Sequence, residues 1–115
     1  MRLEIRRKGV RLAASTRQYL TEHLSSALGK FMQRIRLVTI HLADNNGPRG
    51  GVGKQCLIAV QLAGGKVIRA GHSDTQLIAA IGLATDRVSY AVGRALKRRR
   101  KRSVRTRPWE SEPAA

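Results

Sequence analysis

The sequence predicts an α+β fold, a two-layer sandwich in which a four-stranded sheet carries two helices on one face. Apolar residues recur at every second position in four segments and at every third or fourth position in two others. These segments follow one another in the order β-α-β-β-β-α. Each predicted helix has one apolar face that must be buried. A mostly antiparallel sheet with a single apolar face can pack against both helices and bury these faces. The 115 residues are enough for one domain with one core.

The first two elements are a strand and an amphipathic helix. Leu3 and Ile5 lie two residues apart between charged residues, which predicts a strand over 2–7. The spacing of Ser15 and Gln18 is that of a capping box, so we expect the helix to open there and to end at Gly29. Its apolar stripe consists of Leu20, Leu24, Ala27, Leu28 and Phe31.

The next three elements are strands. From Ile35 onward the apolar period changes to two, and a second run of the same kind follows a glycine-rich loop. Gly64 and Gly65 then predict a tight hairpin into a last strand over 67–70. The side chains predicted to point into the core are Val38, Ile40 and Leu42 in one strand and Cys56, Ile58, Val60 and Leu62 in the next.

The last element is the longer helix. Ser73 and Gln76 have a second capping-box spacing, so we expect the helix to open there. Its core stripe consists of Leu77, Ile81, Ala84, Val88, Ala91, Ala95 and Leu96. Its exposed face consists of Arg87, Tyr90, Arg94, Arg98 and Lys101.

The loop over 45–55, with the sequence NNGPRGGVGKQ, has glycines around a Gly-Lys pair, as a phosphate-binding loop does. Such a loop needs a glycine five residues before that pair and a Ser or Thr after it, whereas this one has Pro48 and Gln55. It also joins two strands and therefore lacks a helix N-terminus. We predict a flexible connection that binds no nucleotide and whose Arg49 and Lys54 could at most reach a phosphate backbone.

The charge of the chain indicates a polyanionic partner. There are 23 Lys and Arg residues against seven acidic ones, a formal net charge of +16, and residues 94–107 hold nine basic residues and no acidic one. The basic run lacks the apolar face with which a helix enters lipid. Because we see neither a signal peptide nor a membrane-spanning stretch, we expect a cytoplasmic protein that binds nucleic acid and no membrane. The single cysteine, Cys56, suits a reducing compartment.

The sequence gives no basis for an enzyme. His23, His41 and His72 do not have the spacing of metal ligands. Cys56 lies in the inward register of its strand, where cysteine usually serves as a small apolar residue. A Cys-His nucleophile would need a contact between distant parts of the chain. We therefore expect no catalysis, no metal, no cofactor and no small-molecule substrate.

Aromatic residues are few, and the three strands between 37 and 70 contain none. Proteins that read single-stranded RNA on a sheet stack its bases on strand aromatics. We therefore expect the helices to recognise the backbone and shape of a structured RNA.

The segments RQYLTEHLSSALGKFMQRIRLVTIHLADNNGPRGGVGKQCLIAV and DTQLIAAIGLATDRV resemble the ribosome hibernation-promoting factor and ribosome-associated inhibitor family, also described as sigma-factor modulation or S30EA-type proteins. The resemblance covers about residues 1–100 and is to the short form of the family. It implies a ribosome-binding translation inhibitor that occupies the mRNA and tRNA channel of the small subunit and promotes hibernation under stress or in stationary phase. The implied partners are the small subunit with its rRNA and the whole ribosome, bound by a protein that is a monomer when free.

The resemblance also implies which residues contact RNA. Basic positions of the family align with Arg17, Arg34, Arg87, Arg94 and Arg98, and the role extends to Lys30 and Lys97. We place the RNA-binding domain at 1–101 and a basic, disordered tail at 102–115. Two alternatives stay open, namely a free-standing double-stranded RNA-binding module and a non-specific nucleic-acid-binding protein.

Overall fold

The computed structural model describes the backbone of residues 2–44 and 53–105 and the side chains of these residues up to position 97. In chain order the elements are β1 (Arg2–Lys8), α1 (Ala14–Leu28), a 3₁₀ helix (Gly29–Arg34), β2 (Ile35–Asp44), β3 (Lys54–Leu62), β4 (Val67–Asp74) and α2 (Leu77–Arg105). The predicted order β-α-β-β-β-α is confirmed.

The four strands form one sheet in the order β1-β2-β3-β4. β1 pairs with β2 in parallel, because α1 carries the chain back across the sheet before β2 begins. The other two pairings are antiparallel. Gly64 and Gly65 both have a φ near +100°, which few other residues adopt, so the hairpin between β3 and β4 forms where the sequence predicts it.

One core lies between the sheet and the helices. The inward residues of β2 and β3 are all buried, as the alternation predicts, and so are Leu20, Leu24 and Leu28 of α1. Of the α2 side chains that the structure describes, those up to position 97, the buried ones are Ala80, Ile81, Ala84, Thr85, Val88, Val92, Ala95 and Leu96. Thr85 is a buried polar residue, and its hydroxyl donates to the carbonyl of Ile81 at 2.8 Å, which satisfies it within the helix.

The starts of the two helices differ from the prediction. α1 begins before Ser15, with Ala13 as its N-cap and no side-chain cap, so the predicted capping box is wrong. Ser73 lies in β4, which extends to Asp74, and the Asp74 carboxylate accepts the backbone N–H of Gln76 at 3.1 Å just before α2. β4 stays paired with β3 up to Asp74, whose partner is Lys54. This pairing keeps Ser73 and Asp74 in the strand, so α2 can start only after them.

The ends of the two helices also differ from the prediction. α1 ends at Leu28, but Gly29 keeps a right-handed helical conformation and the chain continues as the 3₁₀ helix. α2 continues to Arg105, so the first residues of the predicted tail have a helical backbone. The rest of that tail and most of the glycine-rich loop, 45–52, lie outside the described residues. Lys54, which follows the loop, donates to Asp44 at 2.7 Å across the β2–β3 pair.

Candidate nucleic-acid interface

A groove of about 700 Å³ lies between the 3₁₀ helix and the middle of α2. We call it the interhelical groove. Two local contacts bring its walls together. The Ser89 hydroxyl donates to the carbonyl of Ala27 at 3.1 Å, and a Cβ on Gly93 would lie 3.4 Å from the ring of Phe31. The residues that line it are Lys30, Phe31, Asp86, Ser89, Tyr90, Gly93, Arg94 and Lys97.

Three cations from two elements meet at this groove. Lys30 belongs to the 3₁₀ helix, whereas Arg94 and Lys97 lie one turn apart on α2, and all three are exposed. The Lys30 ammonium lies 5.2 Å from the centre of the Phe31 ring, and the Arg94 guanidinium lies 5.7 Å from that of Tyr90. These cation–π contacts favour side-chain positions over the aromatic rings, so the positive charges gather along the groove.

The other end of the groove carries a carboxylate. Asp86 lies 3.6 Å from His23, and the His23 ring stacks on Tyr19 with centroids 5.3 Å apart and an interplanar angle of 12°. Gly82 allows this arrangement, because a Cβ there would lie 3.0 Å from the Tyr19 hydroxyl oxygen. The Asp86 side chain is 67% exposed despite this contact. The interhelical groove is therefore polarised along α2, from Asp86 at one end to Lys97 at the other.

Arg87 does not line this groove, although the sequence places it on the exposed face with Arg94. Its guanidinium donates to the carbonyl of Gly71 in β4 at 3.0 Å. It lines a separate cleft of about 420 Å³ with residues of β3 and β4. The helical period alone puts Arg87 and Arg94 on one line, but β4 runs beside this part of α2 and offers Arg87 a backbone acceptor.

The remaining predicted RNA contacts are dispersed. Arg17 is exposed in α1, and Arg34 is exposed at the end of the 3₁₀ helix, where its carbonyl accepts the N–H of Ala63 at 2.8 Å. Neither lines the interhelical groove. Arg98 lies in α2, and its side chain is outside the described residues. Of the seven predicted residues, the structure therefore brings Lys30, Arg94 and Lys97 together.

The cleft beside Arg87 brings together the one cysteine and a histidine. Cys56 and His72 are opposite residues of β3 and β4, a juxtaposition that only the strand pairing produces. Burial raises the pKa of the Cys56 thiol to about 12, so the thiol stays protonated at neutral pH. His72 lies 3.7 Å from Asp74. A protonated thiol is a poor nucleophile, so the proximity of Cys56 and His72 in the strand register does not make a reactive pair.

Sequence reasoning missed the aromatic character of the interhelical groove. Phe31 fits the apolar stripe of α1 and was therefore predicted to be a core residue, yet it is only half-buried. Tyr90 is 68% exposed on α2. A large aromatic residue on a polar helix face, four residues before an arginine, is the available sequence signal for such a site.

The chain matches the family model described as sigma 54 modulation protein / S30EA ribosomal protein over residues 3–102. The chain belongs to this family. Its S30EA membership places it among ribosome-associated modulators, as its sequence segments predict. The description of the family is not that of an enzyme. A search among curated proteins gave no significant match.

Solved structures of two other proteins show the same fold. A ribosomal subunit interface protein from Coxiella burnetii superposes with a TM-score of 0.72 at 15% identity, over 84% of this chain and 99% of that one. The N-terminal domain of Protein Y from Thermus thermophilus superposes with a TM-score of 0.59 at 23% identity, over 81% of this chain and 93% of that one.

No helix among the described residues combines the length and apolar character needed to cross a membrane. Within the same residues, no cluster of three or more His, Cys, Asp or Glu side chains is arranged to hold a metal ion.

Proposed function

We propose that this S30EA-family protein binds the small ribosomal subunit in the channel that mRNA and tRNAs occupy, and so inhibits translation and promotes ribosome hibernation in the cytoplasm under stress or in stationary phase. The observation that carries the proposal is the convergence of Lys30, Arg94 and Lys97 on one groove. Membership of a ribosomal family and the fold of a protein described as a ribosomal subunit interface protein support the same partner.

The groove suits an RNA backbone for electrostatic reasons. Cations that project from two helical segments into one concave surface attract phosphates more strongly than the same cations dispersed over a convex one. Each phosphate that they neutralise releases counterions, which makes the affinity dependent on salt. A protein held there by several phosphates would exclude mRNA and tRNA by occupying their space, without any chemical step.

A charge-reversal experiment tests the site. The groove variant combines Lys30→Glu, Arg94→Glu and Lys97→Glu. Its matched control combines Lys8→Glu, Lys66→Glu and Arg69→Glu, which makes the same change of net charge at exposed positions outside the groove. Binding to small subunits is measured by sedimentation over a range of salt concentrations. We expect the groove variant to lose binding and the control to keep most of it.

The salt dependence gives a second measurement. Loss of three phosphate contacts should reduce the slope of log affinity against log salt by roughly 2–3, at about 0.7–0.9 per contact. Wild-type protein should also inhibit cell-free translation and compete with mRNA or tRNA for the small subunit. Equal loss in both variants would remove the groove as the site. Binding without competition would contradict the channel mechanism, and equal affinity for naked duplex RNA would favour a free-standing duplex-binding module.

A further inference from the structure

The interhelical groove contains groups that a phosphate backbone does not use. Besides its three cations it has two aromatic rings, Phe31 and Tyr90, and the carboxylate of Asp86. A carboxylate repels phosphate, so Asp86 would weaken a surface that bound only a backbone. The ring of Tyr90 is also exposed, and an aromatic ring contributes binding energy only when a partner covers it. These groups suit the other part of a nucleotide, its base.

The groups are arranged in the order that a nucleotide requires. Asp86 and Arg94 lie eight residues apart on α2, or about 12 Å along the helix axis, with Tyr90 midway between them. A phosphate bound by Arg94, Lys97 and Lys30 would leave the attached base over the middle of the groove. There Gly93 has no side chain to obstruct it, and Tyr90 offers a ring on which it can stack.

The carboxylate then determines which base fits. The pairing edge of guanine presents an imino N–H and an amino N–H side by side, and these two donors match the two oxygens of one carboxylate. Adenine and cytosine each place a ring nitrogen acceptor beside their amino group, which would face the second oxygen. Uracil has one N–H between two carbonyl oxygens. Only guanine avoids a repulsive contact at Asp86.

His23 lies beside this carboxylate. One Asp86 oxygen lies 3.6 Å from the imidazole, whose ring stacks on Tyr19. An imidazole at this distance limits the space in which the carboxylate can turn, while the exposure of Asp86 leaves it accessible from the groove. This makes His23 a positioning residue rather than a contact to the base.

We propose that the interhelical groove binds an unpaired guanine nucleotide of RNA, with the phosphate at Lys30, Arg94 and Lys97, the base against Tyr90 and its pairing edge at Asp86. This inference rests on the proposed function only in that the groove is an RNA-binding site. It predicts a base preference where the charge alone would predict none.

The test uses four RNA hairpins that share one stem and differ in a single bulged nucleotide, G, A, C or U, with binding measured by fluorescence anisotropy. Wild-type protein should bind the G hairpin about tenfold more tightly than the others, in the range of discrimination of one bidentate contact. Asp86→Asn should abolish that preference. Glu22→Gln, which removes the same charge from an exposed site on α1 outside the groove, should keep it.

Two further variants separate stacking from positioning. Tyr90→Leu should weaken every bulged hairpin by about 5- to 150-fold, the usual loss on removing a stacking aromatic, and leave a fully paired stem unaffected. His23→Gln should reduce the guanine preference without abolishing it, because the carboxylate remains.

The outcomes distinguish this inference from the proposed function. Equal wild-type affinity for the four hairpins overturns the guanine site, and so does a preference that survives Asp86→Asn. If the groove variant with three glutamates then still fails to bind any hairpin, the groove remains an RNA site and only the base assignment is wrong. If that variant binds as well as wild type, both proposals fail.

Discussion

Cys56 shows how the environment of one residue decides its chemistry. Its side chain is 1% exposed on β3, and removal from water raises the pKa of its thiol from 9.0 to about 12. At a pH below 9.0, the Cys56 thiol is protonated in both the folded and the unfolded protein. Between pH 9.0 and about 12, only the unfolded protein loses this proton, so the free energy of unfolding decreases as the pH rises through this range.

We expect the Cys56 thiol to resist modification in the native protein. Its thiolate fraction in mildly alkaline buffer should be roughly 1000-fold lower than that of an unfolded thiol, because the pKa is about three units higher. Reaction with a disulfide reagent, followed by absorbance, should therefore be slow in native protein and fast in concentrated guanidinium chloride. Rapid stoichiometric labelling of the native state would show that the residue is accessible.

At the scale of elements, the decisive feature is the close approach of α1 and α2. Ser89 bonds to the Ala27 carbonyl, and Gly93 faces the Phe31 ring, so small residues on α2 allow the contact. The interhelical groove opens directly beside it, with Gly93 in its wall. Gly93 therefore contributes both to the packing of the helical segments and to the wall of the groove. A substitution at Gly93 should change stability and binding together.

Gly93→Ala should raise stability and weaken RNA binding. Alanine favours the helix by about 1 kcal/mol over glycine. The new Cβ would lie 3.4 Å from Phe31, at the tight end of ordinary contact, so we expect a net gain of about 0.5 kcal/mol in the free energy of unfolding. The added methyl group occupies the groove, and affinity for bulged hairpins should decrease several-fold. Denaturant titration and fluorescence anisotropy measure the two effects.

Gly29→Ala is the matched control for this prediction. Gly29 also has helical dihedral angles, but a Cβ there meets nothing within 4 Å. This variant should be stabilised as well, with unchanged RNA binding. If Gly93→Ala binds RNA as tightly as Gly29→Ala does, Gly93 does not face the bound nucleotide.

At the scale of the whole molecule, positive charge is concentrated in two places. One is the interhelical groove, where the packing of two helical segments brings three cations together. The other is the remainder of the basic run, over 98–107, which begins in the last turns of α2. Charge alone attracts any polyanion, whereas a site with fixed geometry can select one.

Removal of residues 106–115 should leave ribosome binding largely intact. The deletion keeps every described residue of α2 and removes one arginine and two glutamates, so the net charge rises by one. Sedimentation with small subunits should give an affinity close to that of the full chain. Loss of binding on this deletion would identify the terminal segment as the main anchor, and the interhelical groove would then be secondary.

The sequence by itself determined the architecture. Period-two alternation in Val38, Ile40 and Leu42 and the three-to-four spacing of Leu20, Leu24 and Leu28 each indicate one buried face, and all six residues are buried. Such patterns are local, because the backbone geometry of a strand or helix fixes which neighbours share a side. The capping boxes were wrong because strand pairing extends β4 past Ser73 and because α1 begins at Ala14, one residue before Ser15.

Only the tertiary structure decided the candidate site. The sequence places Lys30 and Arg94 more than sixty positions apart, and it gives no distance between Phe31 and the face of α2 that carries Tyr90. The angle and separation at which α1 and α2 pack depend on small residues such as Ser89 and Gly93, which no periodicity indicates. Arg87 shows the same limit, because its place on α2 predicts its exposure but not the hydrogen-bond acceptor that β4 supplies. Helix periodicity describes one element, whereas a groove is a property of two elements packed together.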